Sequence, residues 1–432
     1  MRTLSAAIVL LVQGSAVGAR AATLLVPSEY PTIQAGIDAA VAGDTVLVAP
    51  GVYTDYETRS TGFGTITSMA FLKQDVVLRS ELGASVTELH HGPGGPGLSF
   101  LWADNLTSGT TAVEGFTATA DVPGCAGYGC ALSGPVTIRE CRFEGVAAGV
   151  SSFIGDVVVI DCEFVECGSG TSSGGIVANE GTFLVEGSRF IACRGLGAIH
   201  LVGQSASAGY TAEVRGCWFE GNVSTLVPGA GVFVTLYSSA VVDGCTFIGN
   251  SSSRVGGAVY LPGDTPNVRV LNSVFLGNST EFVGGAMEVS GNATVSGCTF
   301  HGNHLISPVA GTAISLGPGS PQLQNNVISE TGGATAITVS ILATVASSCN
   351  VFWDNPNGIG IPLSSTDRIA DPQFCDAANG DFTVADSSPC LPANSNGCGQ
   401  IGAFGQGCGA VSVESMSWGR IKAGFRREEG GP

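Results

Sequence analysis

Five carboxylates of this chain, Glu140, Asp161, Glu186, Glu213 and Asp243, recur three to six residues ahead of a phenylalanine. Carboxylates do chemistry in company. Calcium-assisted elimination clusters them around Ca²⁺ and adds an Arg or Lys to take a proton, whereas glycoside hydrolysis sets two of them, acid and base, across one bond. These five are mostly single, so they read as solvated outer-face residues, with Ca²⁺ as the one ion they would accept. Arg215 and Arg269 are the repeat-borne cations that an elimination would use. The adjacent His90 and His91 point to opposite sides of a strand, and His301 and His304 have no third ligand in view, so all four read as ordinary histidines. Trp218 precedes Phe219 and Trp353 follows Phe352, which turns both outward, where an indole can stack on a sugar ring or pack under a corner loop. The residues assign no catalytic group, cofactor site or metal site.

What must position these side chains is a repeat. The phrases Cys141 to Gly145, Cys162 to Cys167, Cys217 to Asn222, Cys245 to Asn250, Ser273 to Asn278 and Cys298 to Asn303 are versions of one another. Their aromatic marker runs from Phe116 through Phe143, Phe164, Phe190, Phe219, Phe247, Phe275 and Phe300 to Ile328 and Phe352, in steps of 21 to 29 residues. A period of that length signals stacked units, none of which buries its own apolar face. Alternation such as Val268-Arg269-Val270 predicts strands, and the following Gly-Asn predicts a corner. The sequence therefore predicts an all-β parallel solenoid with strands about 4.8 Å apart. Phe, and the Cys two before it, point inward. Asn222, Asn250, Asn278 and Asn303 form a structural ladder at the corner, which also explains the glycosylation-type sequons at Asn222, Asn250 and Asn278.

Two resemblances sharpen this. Phe247 to Asn250 followed by Gly256-Gly257-Ala258, and Phe275 to Asn278 followed by Gly284-Gly285-Ala286, are similar to the repeat of polymorphic outer-membrane proteins. Tyr30 to Ala40, continued through Gly43 to Val46 and Pro50 to Tyr53, resembles the opening coil of pectin-lyase-like proteins. The resemblance implies a right-handed parallel β-helix with an N-terminal capping helix. Thr32 would cap that helix, Ile33, Ile37, Ala40 and Val41 would form its apolar side, and Gly43 would stop it. Asp371 to Phe374, Asp381 to Thr383 and Gly399 to Phe404 look like the terminal coil of secreted β-helix repeat proteins. Enzymes of the fold mostly act on pectins and related glycans, yet the polygalacturonase motifs N-T-D, D-D and G-H-G are missing. Lys73-Gln74-Asp75 is too isolated to match the methylesterase region, and Arg420-Ile421-Lys422 falls in the tail.

Met1 to Ala22 has the basic start, apolar run and small-residue end of a secretory signal peptide, and no apolar run is long enough to span a bilayer. The organisation read from the chain is 1–21 signal peptide, 22–365 β-helix, 366–409 terminal coil and cap, and 410–432 a tail that resembles an export sorting signal. Fourteen cysteines in an exported chain invite disulfides. Cys141, Cys162, Cys217, Cys245 and Cys298 read as buried thiols, and Cys167 and Cys193, at the ladder position of consecutive coils, as either a bridge or a thiol column. Cys125 with Cys130, and Cys375, Cys390, Cys398 and Cys408 in a disulfide-bearing C-terminal cap, are the disulfide candidates, with Cys375 to Cys390 and Cys398 to Cys408 as the pairing. A net charge of −18 with two lysines excludes nucleic acid and disfavours any polyanion. The expectation is a secreted or cell-surface protein, non-catalytic, presenting a rigid surface to a polysaccharide or the cell envelope. A polysaccharide lyase or glycoside hydrolase with an unfamiliar site is the alternative.

Overall fold

A strand such as Asn267–Leu271 is buried at Val268 and Val270 and wet at Asn267 and Arg269; the corners that follow keep every strand short. In the computed structural model, which describes residues 21–92, 99–121, 127–168, 174–306, 313–331 and 335–409, these units stack into a parallel β-solenoid of about 12 turns. Its first sheet has 13 strands and runs from Thr23–Val26 to Ala346–Ser348. The second, also of 13, runs from Gly51–Tyr53 to Arg368–Ile369. The third has 12, from Glu57–Thr61 to Ile337–Val339. One coil passes through Ser239–Asp243 in the first sheet, Thr246–Ile248 in the second, the short strand Ser251–Ser252, and Val259–Leu261 in the third. The expected signal peptide, the tail and Cys125 lie outside the described residues.

The interior is a column of rings. Phe164, Phe190, Phe219, Phe247, Phe275 and Phe300 are fully buried and stack with centroids 4.6, 4.9, 4.6, 4.8 and 4.8 Å apart. Offset stacking at this spacing adds to the large apolar area each ring buries. The third sheet makes room for it: a Cβ on Gly149 would lie 2.4 Å from the Phe164 ring.

Two corners carry polar columns. After the second sheet, Asn222, Asn250, Asn278 and Asn303 are fully buried. Each of the first three donates Nδ2 to the Oδ1 of the next, at 2.8, 2.9 and 3.0 Å, and every Nδ2 also reaches a carbonyl of the preceding coil. Between the first and second sheets a further column contains Ser188, Ser273, Asn326 and Asn350, joined through bonds such as Asn326 Nδ2 to Asn350 Oδ1 at 3.0 Å. Cys141, Cys162, Cys217, Cys245 and Cys298 belong to this second column. They stand in the corner rather than in the strand with Phe, and the thiol of Cys245 donates to the Val214 carbonyl at 3.4 Å.

The capping helix is Ile33–Ala39, with Thr32 Oγ1 accepting from the Ala35 N–H. It ends earlier than its apolar pattern predicts, so Ile33 and Ile37 are buried while Val41 is 57% exposed.

The C-terminal region departs most from expectation. Strands Phe374–Asp376, Asp381–Ala385 and Gln406–Cys408 form a small sheet that folds back onto the outer face of the second sheet. Phe382 packs on Val274 and Leu276, Ile401 joins Val327 and Val351, and the Ala403 N–H donates to Thr299 Oγ1 at 3.0 Å. Its disulfides are Cys375 to Cys408 and Cys349 to Cys398, which corrects the expected pairing. Cys390 is a free thiol buried among Val384, Leu391 and Ile401, its expected partner Cys375 being bonded to Cys408. Cys130 is likewise a free thiol, buried in the solenoid core.

Candidate functional site on the third sheet

Each sheet turns one row of side chains to the outside, and the three rows differ. On the first sheet, Glu186, Arg215 and Asp243 are register neighbours, as are Arg79, Glu114 and Arg139. Arg215 pairs with Glu213 on its own strand at 2.6 Å. Arg269 lies between Val241 and Thr294 and forms no ion pair among the described residues. Glu140 and Asp161 sit at corners with left-handed backbone, φ 52° and 51°, exposed to solvent. Arg215 thus has carboxylates from both adjacent coils in register with it and a third on its own strand, Arg269 has none, and no group of three metal-type ligands forms among the described residues.

The second sheet consumes its own charges. Arg142 bridges Glu144 and Glu163, Arg189 approaches Glu163 at 3.5 Å, and His90 lies 3.0 Å from Glu88 and 3.3 Å from Asp121. Trp218 occupies this row between Arg189 and Thr246. It faces outward but is only 8% exposed, its indole N–H donating to Glu220 at 2.9 Å, so the expected exposed platform is absent there. Trp353 is 40% exposed, five strands further along the same sheet, and the two indoles do not share a surface. The C-terminal half of this face lies under the small sheet, where His301 packs 4.9 Å from Phe382 and 3.3 Å from Glu330. His304 is exposed, with Nδ1 3.0 Å from the Gly302 carbonyl.

The third sheet is different. His200, Phe233, Tyr260, Glu288 and Ser315 are successive register partners, one per coil. The His200 and Phe233 rings stack at 4.5 Å, and Phe233 and Tyr260 at 5.4 Å. Glu288 accepts no hydrogen bond and joins no ion pair among the described residues, and burial pushes its carboxyl up to about 7. Burial also pushes His200 down to about 4. The Tyr260 phenol is raised by burial first and then by Glu288 and Asp264. Near pH 6 the row is therefore nearly uncharged: a neutral imidazole, a phenol, a carboxyl that can donate or accept a proton, and a hydroxyl. Because the ring faces are turned to one another, a ligand would meet ring edges and polar tips. Toward the N-terminus the same row continues as Phe71, Trp102 and Ala131, which pack together, with Phe63 and Phe153 set against Trp102.

None of these row residues stands out in the sequence. They share one outward slot, two residues after the alanine in Gly-Gly-Ala-Val-Tyr-Leu and Gly-Gly-Ala-Met-Glu-Val, whose type changes from coil to coil as it does at the outward positions beside each marker Phe. A change of type at fixed register was the available signal.

The family model described as right handed beta helix region matches residues 122–275 and 172–328. No curated protein matches the chain. Among solved structures, the A-module of the mannuronan C-5 epimerase AlgE4 from Azotobacter vinelandii is 13% identical, covering 78% of this chain and 95% of its own, with a TM-score of 0.35. The catalytic unit of the GH87 alpha-1,3-glucanase from Streptomyces thermodiastaticus is 14% identical over 78% of this chain and 66% of its own, with a TM-score of 0.36. Tailspike protein 3 of bacteriophage CBA120 is 13% identical over 76% and 60%, with a TM-score of 0.33. Stacked coils, inward rings, polar corner columns and the matching family model lead to one identification: the chain is a right-handed parallel β-helix repeat protein.

Proposed function

We propose that this β-helix is exported and binds an uncharged polysaccharide along the outer row of its third sheet, as a non-catalytic contact surface. The observation that carries the reading is the register-matched run His200, Phe233, Tyr260 and Glu288, one residue per coil, in which Phe233 is only 9% exposed and spaces the half-buried His200, Tyr260 and Glu288 that a ligand would reach. A row with a fixed repeat suits a polymer with a fixed repeat. Small-molecule sites are lined by apolar and aromatic side chains with a few placed polar groups, and this row has that mixture. On the other two faces most charges are paired or lie under the C-terminal sheet, Arg269 excepted, whereas this row joins no ion pair among the described residues. A chain charge of −18 favours neutral glycans over uronates. Two disulfides fit an oxidising compartment, and among the described residues no helix is long and apolar enough to cross a membrane. A glycan array with neutral and uronate-containing polymers tests the reading. Binding confined to neutral polymers supports it, and binding only to uronates, or to nothing, contradicts it.

One observation favours a second reading, in which the same row transfers protons. A carboxyl pushed up to about 7 is poised as a general acid or base. Release of reducing ends or unsaturated products from a polysaccharide, abolished by Glu288→Gln, would establish it.

A further inference from the structure

We infer that a second, separate pocket at the N-terminal end of the solenoid binds a single neutral sugar ring. It lies between the start of the capping helix and the segment from Tyr53 to Glu57, and its volume is about 170 Å³. That is below the roughly 300–1,000 Å³ of drug-sized sites, so the pocket fits one ring and not an oligosaccharide. The inference rests on the neutral-glycan reading above and adds an end-binding site to it.

The pocket has an apolar floor and a polar rim. Ile33, Met69 and Leu89, all buried, form the floor. At the rim, the Tyr53 hydroxyl donates to the Ala49 carbonyl at 2.8 Å, which holds that ring in place. Tyr56 is 50% exposed and has no ring partner among the described residues. An aromatic left at the mouth of a small concavity is the group that takes the C–H face of a pyranose. Sugar hydroxyls then need acceptors, and two carboxylates supply them. Asp55 makes no hydrogen bond or ion pair among the described residues, and Glu57 meets Arg59 through one oxygen only.

The charge balance selects against acidic sugars. Arg59 is the nearest cation, and its guanidinium is committed to Asp38 and Glu57 while lying 5.0 Å over the Phe71 ring. Lys73 is committed to the Ala40 and Asp38 carbonyls at the far end of the helix. A uronate would therefore meet Asp55 and Glu57 with no free cation to offset them.

Ligand-observed saturation-transfer NMR and titration calorimetry on the full chain test the inference. The probes are methyl glycosides of glucose, galactose and mannose, with glucuronate and tetramethylammonium as contrasts. The expected result is binding of at least one neutral glycoside and none of glucuronate. Tyr56→Ala and Asp55→Asn, both at exposed positions, should each weaken it about tenfold or more, while the second-sheet control Arg142→Ala leaves it unchanged. No binding of any neutral glycoside, equal binding of glucuronate, binding of tetramethylammonium alone, or undiminished affinity in both rim variants would overturn it. Loss of polymer binding in Tyr260→Ala with the monosaccharide still bound would show the two sites to be independent, and intact polymer binding there would count against the third-sheet row alone.

Discussion

The backbone N–H of Cys193 donates to the side-chain oxygen of Asn222 at 2.9 Å. At that step a corner column made of thiols passes into one made of amides. The Cys167 and Cys193 thiols donate to the Phe143 and Phe164 carbonyls at 3.3 and 3.7 Å, where the Asn222 amide donates to the Phe190 carbonyl at 3.0 Å. The thiol is a weaker donor in the same seat. Cys193→Asn should therefore keep or raise stability, whereas Asn250→Ala should lower it by about 2–4 kcal/mol, because it strands several buried partners at once. Guanidinium unfolding measures both, with the exposed Asn267→Ala as a control expected within about 0.5 kcal/mol.

The ring column makes a second, larger prediction. Phe247 is stacked on both sides, by Phe219 and Phe275. Phe247→Ala should cost about 3–5 kcal/mol, with Phe247→Leu costing less, since the cavity scales with the volume removed. The loss should appear first in coils adjacent to the substitution, because a solenoid's stability is a sum over neighbouring repeats. Hydrogen exchange resolved by segment reads this directly.

Stability should respond to pH in two opposed windows. The folded Glu288 carboxyl titrates near 7 against an ordinary 4.5, so the native state holds the extra proton. Its contribution is lost as pH rises from about 4.5 through 7, by on the order of 2 kcal/mol after allowing for partial exposure. His200 titrates near 4 against 6.5, so the native state resists protonation and stability is lost as pH falls from 6.5 through 4. Glu288→Gln should raise Tm relative to the parent at pH 8 and lose that advantage at pH 4.5. His200→Gln should show the reverse.

Nine described cysteines are buried free thiols, and burial holds Cys298 up to about 12 and Cys390 up to about 11. A thiol-reactive dye at pH 8 should leave them unmodified in the folded protein and label them after denaturation. Reduction should act elsewhere. Cutting the Cys349 to Cys398 staple releases the small C-terminal sheet from the solenoid, so amide exchange at Asp381–Ala385 should accelerate while core positions of the solenoid such as Val214 stay protected.

The solenoid is legible in the chain because its requirements repeat: a ring, a corner residue and a Gly-Gly-Ala step return from coil to coil, and each return restates the last. What does not repeat is harder to read. The docking of the small C-terminal sheet depends on partners about a hundred residues apart, as with Ala403 and Thr299, and no local pattern announces it. Cys349 lies in the solenoid, outside the cap that holds its partner Cys398, so counting cysteines within the cap yields the wrong pairs. Alternation gives Trp218 its outward direction but not its burial, since a side chain on an outer face can still be covered by parts of the chain that no local pattern announces. The His200 to Glu288 row is hidden for the converse reason: its slot is regular and its residues are not.

The measurement that bears most directly on the third-sheet row is the affinity of the full chain for a neutral polysaccharide identified on the array, compared across Tyr260→Ala, Glu288→Ala and the second-sheet control Arg142→Ala. If the row is the contact surface, the first two lower affinity about tenfold or more and the control does not. Equal affinity in all three, with folding intact by circular dichroism, would contradict it.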